Sequence, residues 1–215
     1  FGLLLEINSE TDFVARDSNF IDFSHIVLEE AFSKRNSDVG QLMNGLIESE
    51  RQKLVQKVGE NISVRRISKL ESELVGLYIH SNNRIGVLVG MESGSFDLAK
   101  DIAMHVAAMN PLVINPDDLS EEQLAKERDI FLGQAQSSQK PPEIIEKMVA
   151  GKIRKYLEEV SLVQQPFVKD SEKKIGDLLK TNGAKILDFV RFELGEGIQK
   201  NTVDFATEVH AQAGL

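Results

Sequence analysis

The chain has 215 residues, enough for one or two domains with real cores. Its 34 acidic and 25 basic residues give a formal net charge of -9, which argues against nucleic acid as the main partner. The absence of cysteine excludes disulfides and thiolate metal sites, and no apolar run approaches the roughly 20 residues that a bilayer crossing needs. Because the first residue is Phe rather than Met, we expect a fragment, with any targeting segment or preceding domain lying outside it.

Leu3, Leu4, Leu5 and Ile7 predict a strand, which runs into the polar cluster Asn8, Ser9, Glu10, Thr11 and Asp12 and stops there. Phe13 and Val14 follow. Phe13 either tucks back onto the core as a loop anchor or is presented to a partner beside Asp12, and spacing does not decide between the two. Phe20, Phe23, Val27 and Ala31 recur at three and four, predicting an amphipathic helix over 19–32 with His25 on its surface. Asp38 and Gln41 have the spacing of a capping box, opening a helix that carries Met43, Ile47, Leu54 and Val58. Gly59 suits the left-handed position past that helix. Ile62, Val64 and Ile67 then predict a strand whose phase slips once, at a bulge near Arg65 and Arg66. Two short β-type runs, 74–79 and 85–91, joined by residues 80–84, predict an antiparallel hairpin. Gly76, Gly86 and Gly90 within it mark twist, a bulge or a close approach. Phe96, Ala99, Ile102, Ala103 and Val106 predict a helix ending before Asn110 and Pro111.

Ser120 with Gln123 caps a polar helix whose apolar positions are sparse: Leu124, Phe131 and Ala135. Pro141 and Pro142 turn the chain into a second helix with Ile145, Met148, Val149, Ile153, Tyr156, Leu157 and Val160 near a 3-4 alternation. Two helices with thin apolar stripes predict a projecting, coiled-coil-like antiparallel hairpin over 119–160. Ile175, Leu178 and Leu179 mark a short helix, and Asn182-Gly183 leads into a strand with Val190, Phe192 and Leu194 on one face and Arg191 and Glu193 on the other. Helix, glycine break and strand recur here as over residues 51–70, and GLLLEIN before a helix resembles IGVLVGM before a helix. The fold expected is α+β: a duplicated antiparallel sheet-plus-helices unit with the helical hairpin inserted in the second copy. Its parts are residues 1–73, then 74–118 with 161–197, the hairpin 119–160, and a C-terminal helical module 198–215 built on Phe205, Ala206 and Val209.

A catalytic constellation is missing. His25, His80, His105 and His210 stand on different elements, and His105, between Met104 and Val106, suits a packed side chain better than a ligand. There is neither a phosphate-cradling glycine pattern nor a G-x-S-x-G motif. Adjacent acidic pairs such as Glu29/Glu30 and Glu158/Glu159 diverge on a helix and read as solvent-facing charge rather than acid and base partners. We therefore expect a binding protein, with no cofactor and no bound metal.

Several strings carry a resemblance. TDFV at 11–14, preceded by LLLEIN and followed by ARD, is similar to the translation elongation factor Ts family. So are KVGENISVRR (57–66), RIGVLVG (84–90), DIAMHVAAMNP (101–111), VSLVQQPFV (160–168) and VRFELGEG (190–197), in the same order and spacing over nearly the whole chain. Ser9 departs from the cysteine that many members carry there, a change expected to matter little. The resemblance implies that the family's small N-terminal helical domain would precede Phe1. The resemblance implies a guanine nucleotide exchange factor for the GTPase elongation factor Tu, bound in its GDP and nucleotide-free forms, with no covalent chemistry, no direct nucleic-acid binding and no membrane. It implies the bacterial cytoplasm, or an organelle if the missing N-terminus carries a transit segment. It places Asp12 and Phe13 at the magnesium side of the GTPase, with Thr11 and Val14 shaping the motif and Val58 and His80 near the same contact. The hairpin and the C-terminal helix match further partner-binding pieces. The rival reading is a structural or oligomerising protein, which would show no nucleotide-dependent affinity for a GTPase.

Overall fold

Alternation in the first strand sets the architecture of the computed structural model, which describes residues 1–138 and 140–198. In β1 (Gly2–Asn8), Leu4 and Glu6 are buried, while Leu5 and Ile7 pack against a separate cluster. β1 pairs antiparallel with β2 (Ser63–Leu70). Glu6 lies opposite Arg66 and Ile7 opposite Val64, so Arg65 is the extra residue of the expected bulge.

α1 (Ser18–Ser33) is capped by the Asp17 carboxylate, which accepts from Asn19 N–H, and it buries Phe20, Phe23, Val27 and Ala31 as its periodicity predicts. His25 is exposed on it. The helix expected after Asp38 is two helices, α2 (Val39–Leu42) and α3 (Leu46–Val58). The break falls at Gly45, whose φ of 71° cannot continue a helix. The capping is also one-sided. Asp38 accepts from Gln41 N–H, but its own N–H goes to the Asn36 side chain. Gly59 caps α3 in the left-handed region, as expected.

β3 (Leu74–Ile79) and β4 (Ile85–Ser93) form the predicted hairpin, and β7 (Lys185–Glu193) pairs antiparallel on the far side of β4. Val87, Val89 and Met91 of β4 face α4 (Phe96–Met109) across the main core, together with Ile102, Ala103 and Val106. Phe96, expected on that apolar face, is exposed in the first turn of α4, beside the capping Ser95. The other face of β4 meets the first sheet. Leu88 packs with Leu4 and Leu70, flanked by Val190 and Phe192. A Cβ at Gly86 would lie 2.6 Å from Leu4, and one at Gly90 would lie 2.5 Å from Leu70, so these glycines let the two sheets meet.

α5 (Glu121–Gln136) and α6 (Pro142–Val160) pack on each other through a thin stripe, burying fully only Ala135 and Val149. Phe131 meets Tyr156 edge-on, at 6.2 Å between ring centres. Two helices of 16 and 19 residues without a sustained apolar seam do not make the coiled coil expected. Their stems lie together: Leu112 and Val113 N–H donate to Val160 O, and Leu162 N–H donates to Val113 O. A two-stranded piece, β5 (Pro166–Phe167) with β6 (Asp170–Lys174), was not expected from the sequence, since DSEKK shows no apolar alternation. α7 (Ile175–Thr181) leads to β7 through Gly183. The C-terminal helix expected around Phe205, Ala206 and Val209 lies outside the described residues, as does His210.

Two polar anchors hold these pieces. His105 is fully buried. Its Nδ1 accepts from Val168 N–H at 3.2 Å, so Nε2 carries the proton and donates to Gln165 Oε1 at 2.9 Å. Gln165 in turn donates to Glu159 O at the end of α6, and burial pushes the His105 pKa down. The second anchor is Glu6. Its carboxylate accepts from Arg65 Nη1 at 2.9 Å, Arg66 Nε at 2.5 Å and Gly195 N–H at 3.0 Å. Burial alone would raise its pKa, but the bonds from Gly195, Arg65 and Arg66 outweigh burial and hold it below the usual carboxylate value. Arg66 also reaches Glu193 O at 3.0 Å, stacks over Phe192 at 4.1 Å, and so ties the first sheet to the end of β7.

Candidate partner-binding site

β1 ends at the polar cluster, and the chain then makes a tight 3-10 turn over Val14–Arg16 before α1. Thr11 organises this loop. Its N–H donates to Glu60 Oε2 at 2.9 Å and its hydroxyl donates to Glu60 Oε1 at 2.6 Å. The same hydroxyl oxygen accepts from Val14 N–H at 3.4 Å, and Thr11 O accepts from Ser9 Oγ at 2.9 Å and Ala15 N–H at 3.3 Å. Asn61 N–H donates to Glu10 Oε1 at 3.3 Å. Val14 is half-buried against the cluster of Phe20, Phe23 and Leu54.

Phe13 lies between these tied residues and is 83% exposed. The core-anchor alternative for Phe13 is thereby excluded. Asp12 is also exposed, with Arg16 Nη2 at 3.3 Å from its carboxylate in an ion pair that water screens. The pair projects together from a loop tied from behind through Thr11 and Glu10.

Val58, at the end of α3, is half-buried and joins the same apolar cluster as Val14, two residues before Glu60. The structure thus brings Thr11, Asp12, Phe13, Val14 and Val58 into one region. His80 stands apart from them on the β3–β4 turn. It is half-buried, its Nδ1 lies 3.1 Å from Tyr78 Oη, and its backbone closes the turn with Ile85 and Asn83. Among the described residues no hydrogen bond joins His80 to the loop of Phe13. That turn does face α1 across a groove lined by Ile7, Phe20, Ser24, Ile79 and Arg84. Glu60 was missed by sequence reasoning. It sits in the KVGENI string, but nothing in local spacing reveals a bond to a residue 49 positions away. Among the described residues no group of three His, Asp or Glu side chains is placed to hold a metal ion, and no helix is long and apolar enough to cross a membrane.

Comparison with known proteins agrees over almost the entire length. A family profile described as Elongation factor TS matches residues 10–196. The chain is 55% identical over 212 residues to an Elongation factor Ts from Hahella chejuensis, covering 99% of this chain and 74% of that protein. It is 54% identical over 215 residues to one from Teredinibacter turnerae, covering 99% of this chain and 73% of the relative. A Legionella pneumophila relative of the same name is 48% identical over 218 residues, with 98% and 74% covered. Such identity leaves the structural or oligomerising alternative without support. The chain belongs to the elongation factor Ts family, the nucleotide exchange factors of elongation factor Tu, which catalyse no covalent chemistry.

Proposed function

We propose that the loop carrying Asp12 and Phe13 is the working end of this factor, and that it promotes GDP release by displacing Mg²⁺ and phosphate contacts of elongation factor Tu. The observation that carries this reading is the presentation of Phe13: a large aromatic side chain, 83% exposed, on a loop held by polar bonds and by Val14. Exposed aromatics are costly in water and rewarding in a partner, where a few buried anchors carry most of the binding energy. Inserted beside the nucleotide site, the ring stabilises a GTPase conformation in which Mg²⁺ and phosphate are poorly held. Factor and nucleotide then weaken each other's binding by the same ratio. Asp12 adds a negative charge on the side where phosphate is held. Thr11 and Val14 shape the loop, and Val58 supports it from the core. His80 supplies a second contact from the β3–β4 turn. Both the GDP-bound and nucleotide-free forms of the GTPase are bound in this scheme.

The wider layout belongs to the same reading. The pairing of β1 with β2 and of β4 with β7 supports a duplicated unit, since each pair is antiparallel and bulged, and each second strand follows a helix and a left-handed glycine. On this division residues 1–73 form one unit and 74–118 with 161–197 the other. The 119–160 hairpin is an insertion that gives a further partner contact, as does the 198–215 module. The quarter of the relatives' length not spanned here corresponds, in this reading, to the small N-terminal helical domain. The named relatives are bacterial, which favours the bacterial cytoplasm over an organelle.

The test is release of labelled GDP from purified elongation factor Tu. Phe13→Ala should leave urea unfolding within about 0.5 kcal/mol of wild type, as surface changes do. It should weaken stimulated release by roughly thirtyfold, the equivalent of about 2 kcal/mol for a lost aromatic anchor. Arg16→Ala, a neighbouring exposed charge, should do less. A Phe13→Ala protein that melts normally and still stimulates release at the wild-type rate would remove the loop from the mechanism.

A further inference from the structure

We propose that Glu60 is a positioning residue for nucleotide exchange: its carboxylate holds the loop so that Phe13 is presented to the GTPase already oriented. This rests on the reading of that loop as the working end. Phe13 has little of its own to orient it, being 83% exposed, so its direction is inherited from the residues on either side. On one side is Thr11, whose two donors are both taken by the two oxygens of Glu60, at 2.9 and 2.6 Å. On the other is Val14, whose N–H donates to the Thr11 hydroxyl oxygen at 3.4 Å. One carboxylate therefore fixes the Thr11 rotamer, and through that hydroxyl it reaches across Phe13.

The chemistry suits a glutamate. The two Thr11 donors go to two different oxygens, which a carboxylate supplies, whereas an amide would place an NH2 donor against one of them. The placement is also built rather than incidental. Gly59 turns the chain in the left-handed region directly before Glu60, and the next residue, Asn61, gives its N–H to Glu10 at the other end of the loop. The corner after α3 is thus a cradle for residues 10–14. An ordered loop need not surrender conformational freedom on docking, so the gain appears in how readily the factor binds. Once the partner is bound, it can order the loop itself. The rate at saturating factor then depends on the ring of Phe13 and not on the cradle.

The experiment measures GDP release from elongation factor Tu against factor concentration, with the full chain and its variants. Glu60→Ala should raise the half-saturating concentration about five- to tenfold, the range of a lost charge-assisted pair partly replaced by water, and leave the plateau rate unchanged. Phe13→Ala should lower the plateau. Thr11→Ser, which keeps both donors, should raise the half-saturating concentration less than Thr11→Val does. Glu60→Gln and Thr11→Val, which each keep one bond, should fall between. Thr11→Val combined with Glu60→Ala should show less than the sum of the two single effects, because both remove the hydroxyl–carboxylate bond and only the Val14 N–H bond to the Thr11 hydroxyl is lost in addition. Should Glu60→Ala itself unfold, the single-bond variants Glu60→Gln and Thr11→Val decide the matter on the same readout. Wild-type half-saturation in the Glu60 and Thr11 variants, with Phe13→Ala impaired, overturns the positioning role. So does a Glu60 effect confined to the plateau. A silent Phe13→Ala instead overturns the underlying reading of the loop.

Discussion

Replacing Glu6 by Ala tests whether the two sheets are held together by the polar network as well as by their apolar contact. The carboxylate is almost fully buried, with 3% of its side-chain surface exposed, while Arg65 and Arg66 keep 24% and 29%. Its removal forfeits charge-assisted bonds to both guanidinium groups and to Gly195 N–H. Such bonds are worth about 1.5–3 kcal/mol each when counted singly, but they share one acceptor group and are not additive. Losing the carboxylate also relieves its own desolvation cost, and the arginines can turn to water. The net expectation is a loss of about 3 kcal/mol, at the low end for breaking a buried pair, or roughly 6–12 °C in Tm at this chain length. Urea unfolding at pH 7 is the assay. The pH dependence gives a second check. Because the folded-state pKa of Glu6 is lowered, its contribution is present above the unfolded value near 4.5 and is lost as pH falls through the folded one. Wild type and Glu6→Ala should therefore converge in stability in acid below that value. A neutral-pH loss under about 1 kcal/mol, or a gap that stays constant into acid, would refute the reasoning.

His105 gives a different pH window. It is neutral and buried with its pKa pushed down, so the unfolded chain takes up the proton first, and stability should fall as pH drops through about 6.5. His105→Phe should be less stable at neutral pH but lose the part of the slope that sets in as pH falls below about 6.5, and an unaltered slope would show the titration to lie elsewhere. Residues 120–156 should be replaceable by a short Gly/Ser linker, because 112–114 already pair with 160–163 at the stem and Glu159 is retained as the acceptor for Gln165. That protein should melt cooperatively and bind elongation factor Tu more weakly, whereas a lost cooperative transition would make the hairpin part of the core.

What was legible in the sequence is what periodicity controls. Phe20, Phe23, Val27 and Ala31 announce the buried face of α1, and the phase slip between Val64 and Ile67 announces the bulge at Arg65. Tertiary polar ties leave no such trace. Glu6 meets Arg65 from 59 positions away and Gly195 from 189, and Glu60 meets Thr11 from 49. β5 and β6 were missed because β5 is only two residues long, with Phe167 its single core contact, and the partner strand DSEKK has no apolar alternation to advertise it. The split between α2 and α3 turns on Gly45 alone, in a stretch where the apolar spacing runs on unbroken from Met43 to Ile47. The site was half legible. A polar loop interrupted by an aromatic marks something unusual at Phe13, but exposure in a loop follows from the surrounding packing, and only family resemblance supplied the partner.

If the Phe13 loop is the working end proposed above, its stiffness has a thermodynamic use. A bound factor shifts the GTPase only by the difference in its affinity for the two GTPase conformations. A Phe13 loop that had to be ordered on docking would spend part of its affinity on that ordering, and more factor would be needed to reach the same occupancy. Here the loop has few directions in which to yield. Behind it, β1 is clamped at Glu6 to two arginines and to Gly195. Beneath it, Val14 is packed among Phe20, Phe23 and Leu54. Beside it, Thr11 and Glu10 are tied to Glu60 and Asn61. On the proposed reading of this loop, strain at the interface would fall on the side held by a metal ion and phosphate contacts, which can dissociate, and not on the side held by a packed core, which cannot.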